Sequence, residues 1–445
     1  MLDKAIHNKL RTGVLTAMVL AAILMTVVAP AGLTSVLAQG PDGNPPGGAP
    51  PGGGSGSVDT GTGAYILTDG EELSGGTYTS INDDENAIRA EGDVTAALNN
   101  VTVEKTDGAA SNSDASSFYG LNAAILALDG ATLTINGGSV TATTEGSNGV
   151  FAYNGATITI NDTEINVSGG NAGGIEVAGG GNLYATDLTV NSTVKAAIRS
   201  DRGGGTLVVD GGTYTTSGSS GAPAIYSTAD ITVSNATLVS NDSEAVVIEG
   251  LNSVTLIDSD VTGNMSGSDG SGENVQNVML YQSMSGDAQE GTSVFTMTGG
   301  SLVSLSGDMF YVTNTDSIIN LSGVDLTLAD DTYLLLVAGN NSSRGWGTAG
   351  ANGGIAEFNL SGQTIAGDIM VDSISELAMT ISDGSSYTGA INADGTTASS
   401  LSVTIDDSST WTLTGDSYIT AFNGNMDNVN LNGYTLYVNG AAMVD

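Results

Sequence analysis

Two stretches of the chain, AILALDGATLTINGGSVT at residues 124–141 and GVFAYNGATITINDTEIN at residues 149–166, repeat one pattern and decide the fold. Each contains a short apolar run, a turn with Gly, a second run in which apolar and polar residues alternate, and a polar bend. The pattern continues in GIEVAGGGNLYATDLTV at residues 174–190. Short apolar runs that recur with polar bends between them indicate a repeat architecture built from β-strands.

An apolar residue opens each unit, at intervals of 23 to 37 residues: Ile88, Ile125, Val150, Ile175, Ile198, Ile225 and Ile248. One unit is too small to bury its own apolar side chains, so it must stack on its neighbours. We therefore predict an all-β fold, a single parallel β-helix (solenoid) whose coils pair about 4.8 Å apart. Alternate residues should point into a narrow core. The irregular intervals predict corner loops, such as 106–119 and 262–275, and no amphipathic helical pattern is seen.

The later chain keeps the pattern more loosely. We predict further coils at residues 293–307, 317–331, 356–369, 377–391, 401–419 and 429–440.

The start of the chain has the composition of a secretory leader and a linker. In residues 1–38 a basic segment precedes an apolar run at 14–28, and small residues predict signal-peptide cleavage before Gln39. Residues 39–57, rich in Pro and Gly, predict a disordered linker. The β-helix domain is then residues 58–445. We expect an exported protein, secreted or at the cell surface, with no membrane insertion after cleavage.

Composition excludes several chemical classes. The chain has no Cys, which excludes disulfides and cysteine-ligated metals, and its one histidine, His7, lies in the leader. Nine Lys and Arg face 48 Asp and Glu, a net charge of −39. Because nucleic acids and anionic lipids bind clustered cations, an acidic surface disfavours both. Charge repulsion also predicts a monomer.

The repeats resemble the right-handed parallel β-helix of the pectin-lyase-like superfamily, over nearly all of residues 58–445. The stretches TWTLTGDS at 410–417 and GYTLYVNG at 433–440 resemble the last coils of adhesin-like, autotransporter-passenger-like repeats. The resemblance implies a fold but leaves the function open, since this fold serves enzymes and adhesins alike.

The strongest chemical cluster is Lys195, Arg199 and Arg202, within eight residues of a chain poor in cations. The resemblance to β-helix lyases implies that Arg199 or Lys195 is the base and that nearby acids bind Ca²⁺. Those acids, on the same or the adjoining coil, are Glu176, Asp187 and Asp201. The alternative is structural: the register places Arg199 beside Glu176 on the next coil, as an outward ion pair of modest strength.

The same register predicts an outward row of side chains: Leu126, Phe151, Glu176, Arg199, Tyr226 and Glu249. Exposed aromatic rings near charges can hold a sugar, so Phe151, Arg199 and Tyr226 are the candidate ligand-binding residues. A long corner loop covering the row is the alternative.

Two functions follow from these observations. The first is a non-catalytic, adhesin-like protein that binds extracellular glycans or a host or neighbouring cell surface, since the lack of His and scarcity of cations disfavour an enzyme. It has no catalytic residue, metal or cofactor, although an acidic surface can associate weakly with Ca²⁺. The second is an extracellular lyase or glycoside hydrolase that acts on acidic polysaccharide near Lys195–Arg202.

Overall fold

The computed structural model describes residues 58–219, 221–267 and 274–443. The predicted leader (1–38) and linker (39–57) lie outside the described residues. Within them, no helix has the length and apolar character needed to cross a membrane.

The strands, in chain order, are β1 (Thr62–Ile66), β2 (Glu72–Ser74), β3 (Thr77–Ser80), β4 (Glu85–Glu91), β5 (Thr95–Lys105), β6 (Ile125–Leu128), β7 (Thr132–Ala142), β8 (Val150–Tyr153), β9 (Thr157–Asn161), β10 (Glu164–Val167), β11 (Ile175–Ala178), β12 (Gly181–Thr186), β13 (Thr189–Ser192), β14 (Ile198–Ser200), β15 (Gly205–Asp210), β16 (Thr213–Thr216), β17 (Ile225–Ser227), β18 (Asp230–Ser234), β19 (Thr237–Ser240), β20 (Val246–Glu249), β21 (Ser253–Ile257), β22 (Asp260–Gly263), β23 (Gln276–Tyr281), β24 (Thr292–Thr298), β25 (Ser301–Ser304), β26 (Asp308–Thr313), β27 (Asp316–Ser322), β28 (Asp325–Thr327), β29 (Leu335–Val337), β30 (Ile355–Ser361), β31 (Thr364–Ala366), β32 (Ile369–Val371), β33 (Glu376–Ser382), β34 (Ser386–Thr388), β35 (Ser400–Ile405), β36 (Thr410–Thr412), β37 (Ser417–Ile419), β38 (Ala421–Asn423), β39 (Val429–Asn430), β40 (Leu436–Val438) and β41 (Ala441–Met443). One helix, α1 (Ser113–Tyr119), and one 3₁₀ turn, Met426–Asn428, complete the described structure.

Parallel strands of successive coils pair into three faces. The first face is a 12-stranded sheet that runs from β1 to β32 and includes β8, β11, β14, β17, β20, β23 and β26. The second face includes β9, β12, β15, β18, β21, β24, β27, β30 and β33, and the third includes β10, β13, β16, β19, β22 and β25. The long strands β5 and β7 belong to both of these faces. The prediction of an all-β parallel β-helix is confirmed.

Alternation of side chains fills the core between the faces. In β9, Ile158 and Ile160 are fully buried, whereas Thr157 and Thr159 face outward and are partly exposed. The predicted coils between residues 293 and 419 stack in parallel, and one inward row of the second face runs through Phe295, Ile319, Phe358, Met379 and Val403. In the last predicted coil, residues 429–440, β40 pairs parallel with β37 but antiparallel with β41. Burial of these rows is the main stabilising contribution, and no disulfide adds to it.

Polar ladders and tight bends follow the same stacking. The amide of Asn136 donates to Asn99 at 2.9 Å, and that of Asn161 donates to Asn136 at 3.0 Å, so their side chains satisfy one another between coils. At one bend Gly138 has φ +89°, and a Cβ there would lie 2.1 Å from the carbonyl oxygen of Val101. Only Gly fits such a position.

The register of the opening residues is confirmed from Ile88 to Ile225 and differs after that. Ile225 pairs with Val246, not with the predicted Ile248. Both Val246 and Ile248 are buried, so a shift of two residues keeps the same side chains inside. The alternating pattern therefore cannot distinguish the two registers.

Candidate functional site

The outward side of the first face forms the floor of a cleft. Strands β14, β17, β20 and β23 place Arg199, Tyr226, Val247 and Met279 side by side on successive coils. The residues before and after each of these in its strand point into the core. Because side chains alternate along a strand, these four side chains point outward.

Helix α1 covers one end of this row. The side chain of Asn112 caps the helix by accepting from the N–H of Ala115 at 3.0 Å, and Gly120 ends it with φ +77°. With the residues that follow it, α1 buries Leu126 and Phe151. The corner loop predicted at residues 106–119 thus contains a short helix, which the sequence did not indicate because seven residues are too few for a helical period to show.

The segment 338–354, between β29 and β30, packs over the other end. Trp346 is almost fully buried and lies 4.8 Å from the ring of Tyr281. The guanidinium of Arg344 lies 4.9 Å from the Trp346 ring centroid. With Val247, Met279 and Tyr311, these rings form a second apolar cluster on the outer surface of the sheet. Between the two coverings, Tyr226 is the residue of the row that stays partly exposed.

Between the two coverings lies a cleft of about 840 Å³. This volume is within the range of small-molecule sites, roughly 300–1,000 Å³. Its charged lining residues are Lys195, Arg199, Arg344, Asp114, Asp201, Glu244, Glu249 and Asp287. Its serines are Ser113, Ser117, Ser219, Ser283 and Ser285.

A buried ion cluster lies at one edge of the floor. The Arg199 guanidinium donates to Asp201 Oδ2 at 2.5 Å, and its Nε lies 3.6 Å from Glu176 Oε1. All three side chains are nearly or fully buried. Among the described residues neither carboxyl oxygen of Glu176 has a hydrogen-bond partner, because the 3.6 Å from its Oε1 to Arg199 Nε is too long for one. Burial raises the pKa of Glu176 to about 8, despite the opposing effect of Arg199. Asp201 is therefore the main charge partner of Arg199 at neutral pH.

Lys195 lines the cleft beside this cluster and is half-buried. It takes part in none of the ion pairs within 4 Å that the described residues form. The neighbouring Arg199 charge, together with burial, lowers the pKa of Lys195 to about 8. A fraction of the amine is thus neutral near pH 7, the form that accepts a proton.

Arg202 joins the two sides of the cleft. Its Nε donates to Asp287 Oδ1 at 2.6 Å, and its guanidinium lies 4.0 Å from the centre of the Phe118 ring. Asp287 belongs to the segment after β23 and Phe118 to α1, so one side chain contacts both. This arrangement holds the helix against the coil.

Glu249 accepts hydrogen bonds from three side chains. The hydroxyls of Tyr226 and Tyr281 donate to its Oε2 at 2.6 and 3.0 Å. The hydroxyl of Ser283 donates to Oε1. Burial raises the pKa of both tyrosines well above 10, so both keep the proton that they donate. The network fixes the carboxylate and both rings in the cleft.

The predicted site residues separate into two groups. Lys195, Arg199 and Tyr226 line the cleft, and Arg202 borders it. Phe151 does not line the cleft: its side chain is not exposed but fully buried under α1, which matches the alternative that a corner loop covers this position. The pairing of Arg199 opposite Glu176 is confirmed, but the pair is buried and not on the surface.

The predicted outward row is also wrong at its last position. Val247, not Glu249, pairs with Tyr226, because of the two-residue shift in register. Glu249 follows two residues later on the same side of the strand and still reaches the Tyr226 hydroxyl.

The alternative calcium ligands are not brought together. Glu176 and Asp201 lie beside Arg199 on the first face, whereas Asp187 lies at the exposed bend between β12 and β13, with φ +51°. Within residues 58–219, 221–267 and 274–443, no three acidic or histidine side chains are grouped as a metal site would require. Weak Ca²⁺ association with the acidic surface stays a prediction.

Several lining residues were not predicted from the sequence, among them Glu244, Tyr281, Asp287, Arg344 and Trp346. The available signal was the non-repeating stretch AGNNSSRGWGTAGANGG at residues 338–354, which interrupts the repeats and holds one of two tryptophans. Long insertions between coils are where recognition residues concentrate.

Comparison with known proteins gives no relative: no family model, no curated protein and no solved structure matches the chain. Function must therefore be argued from the cleft.

Proposed function

We propose that the protein is an exported glycan-binding β-helix whose ligand occupies the cleft on the first face. The observation that carries this proposal is a cleft of about 840 Å³ lined by serine hydroxyls, carboxylates and cations. Such side chains match the alternating donors and acceptors of a saccharide. The leader-like sequence of residues 1–38 supports export, and the repeats support an adhesin-like role at a cell surface and membership of the pectin-lyase-like superfamily.

The binding test uses the purified protein and a panel of soluble polysaccharides, with calorimetry as the readout. The variant Ser113→Trp places a large ring at an exposed position that lines the cleft. Thr189→Trp places the same ring at an exposed position of the third face. We expect Ser113→Trp to weaken binding at least about tenfold and Thr189→Trp to leave it unchanged. Equal loss in both variants, or no binding by the parent protein, would contradict the proposal.

A second candidate is cleavage of the bound chain by elimination, favoured by Lys195. Its pKa of about 8 and its position in the cleft suit a general base. The test follows ultraviolet absorbance of unsaturated uronates for the parent protein, for Lys195→Ala and for Thr189→Ala as control. Product that is lost only with Lys195→Ala supports an enzyme, and no product from any polyuronate excludes this reaction.

A further inference from the structure

The cations at the cleft are largely compensated within the protein. Arg199 lies between Glu176 and Asp201, and Arg202 is paired with Asp287 at 2.6 Å. To bind a carboxylate of the ligand, Arg199 would have to give up its ion pair with Asp201, or Arg202 its ion pair with Asp287. A buried pair broken in this way leaves an uncompensated charge, which is costly.

The acids of the cleft outnumber its cations. Five described lining residues are carboxylic acids, and three are cationic. Lys195 belongs to none of the ion pairs named above, but the charges of Asp201 and Asp287 oppose its own, and the exposed Asp114 lines the same cleft. Since the chain as a whole carries −39, the surrounding field also repels a polyanion.

The acids are themselves engaged, which disfavours a cationic ligand as well. Glu249 accepts from Tyr226, Tyr281 and Ser283, and Glu244 accepts from Ser243 and from Gln276. Apart from Lys195 and Asp114, whose charges are opposite, what remains for a ligand is uncharged: the serine hydroxyls, including the exposed Ser113 and Ser285. Hydroxyls both donate and accept, as do those of a sugar.

We propose that the ligand of this cleft is an uncharged glycan, bound through its hydroxyl groups, and that polyuronates are rejected. This inference rests on the proposed glycan-binding function and names its ligand class. It differs from the prediction made from the cationic cluster in the sequence, which was an acidic polysaccharide.

The test compares each neutral polysaccharide with its own charged derivatives. Soluble β-glucan, α-glucan, mannan and galactan are each titrated into the protein beside forms carboxylated or aminated at C6. We expect the neutral form of the bound backbone to bind at least about tenfold more tightly than the carboxylated form. Binding of the carboxylated form should improve as salt is added, because salt screens the repulsion.

The substitution Ser113→Ala provides a second readout, since it removes an exposed hydroxyl from the cleft and no charge. For a neutral ligand we expect it to raise Kd at least about threefold, whereas Thr189→Ala on the third face should leave Kd unchanged. A carboxylated or aminated form that binds as tightly as its neutral parent would overturn the inference and leave the glycan-binding proposal intact. So would an unchanged Kd with Ser113→Ala. Failure of every form to bind would overturn both.

Discussion

Replacing Glu176 by Gln should stabilise the protein, and the gain should grow as the pH rises. Burial raises the pKa of Glu176 from 4.5 to about 8. The folded protein therefore keeps a proton that the unfolded chain releases above pH 4.5. The stability associated with this proton is fully present below pH 4.5 and is lost progressively up to pH 8. Glutamine is similar in size to the protonated acid and cannot ionise, so it removes the loss.

The magnitude follows from the size of the pKa shift. One pKa unit corresponds to about 1.4 kcal/mol, so at pH 7 ionisation of the unfolded chain costs the native state roughly 3 kcal/mol. Lys195 does not obscure this window. Because its pKa is lowered from 10.5 to about 8, the folded state favours the neutral amine. The stability that this preference contributes is present above pH 10.5 and is lost as the pH falls toward 8.

The assay is equilibrium guanidinium unfolding of the parent protein and of Glu176→Gln at pH 4, 5.5 and 7. We expect the two free energies of unfolding to agree at pH 4 and to differ by about 3 kcal/mol, in favour of the variant, at pH 7. The control is Glu357→Gln, at an exposed position of β30, which should stay within about 0.5 kcal/mol of the parent. A difference that does not vary with pH, or a less stable Glu176→Gln at pH 7, would refute the reasoning.

Three further outcomes are expected. Phe151→Ala removes a fully buried ring beneath α1 and should lower the free energy of unfolding by about 3–5 kcal/mol, measured by the guanidinium midpoint. Gly70→Ala has open space at φ +75° and should cost about 1–2 kcal/mol. Gly138→Ala should cost clearly more in the same assay, since its Cβ would lie 2.1 Å from a carbonyl oxygen, and equal costs would contradict the crowding at this bend. Trp346 lines the cleft and Trp411 is buried in the core, so any change in fluorescence on glycan binding should disappear in Trp346→Phe and persist in Trp411→Phe.

Most of the fold follows from the sequence because every coil must bury the same kind of alternating apolar row against its neighbours. The alternation in ATITIN at residues 156–161 states which side chains face the core, and the structure agrees. The same alternation is unchanged by a shift of two residues. The prediction therefore paired Ile225 with Ile248, whereas its partner is Val246. Register there depends on the length of the corner between strands, which no side-chain pattern records.

The site was only partly predictable, for a different reason. The cluster of Lys195, Arg199 and Arg202 stands out in the sequence because the chain has few cations. The pairing of Arg199 with Glu176 follows from the spacing of the coils. Whether that face is open or covered depends on insertions that come from distant coils. Helix α1 buries Phe151, and segment 338–354 brings Trp346 to Tyr281, without any local signal at the residues covered.

Because these insertions lie at corners outside the stacked core, they are under different constraints from the strands. Each coil pairs only with its neighbours, so lengthening a corner leaves the stacked core unchanged and costs little closure entropy. The residues at 106–119 and 338–354 are therefore free to diverge while the inward rows are constrained by packing. In a set of such proteins the coil backbone and the inward rows would stay alike, while the two loops, and with them the side chains that line the cleft, would differ.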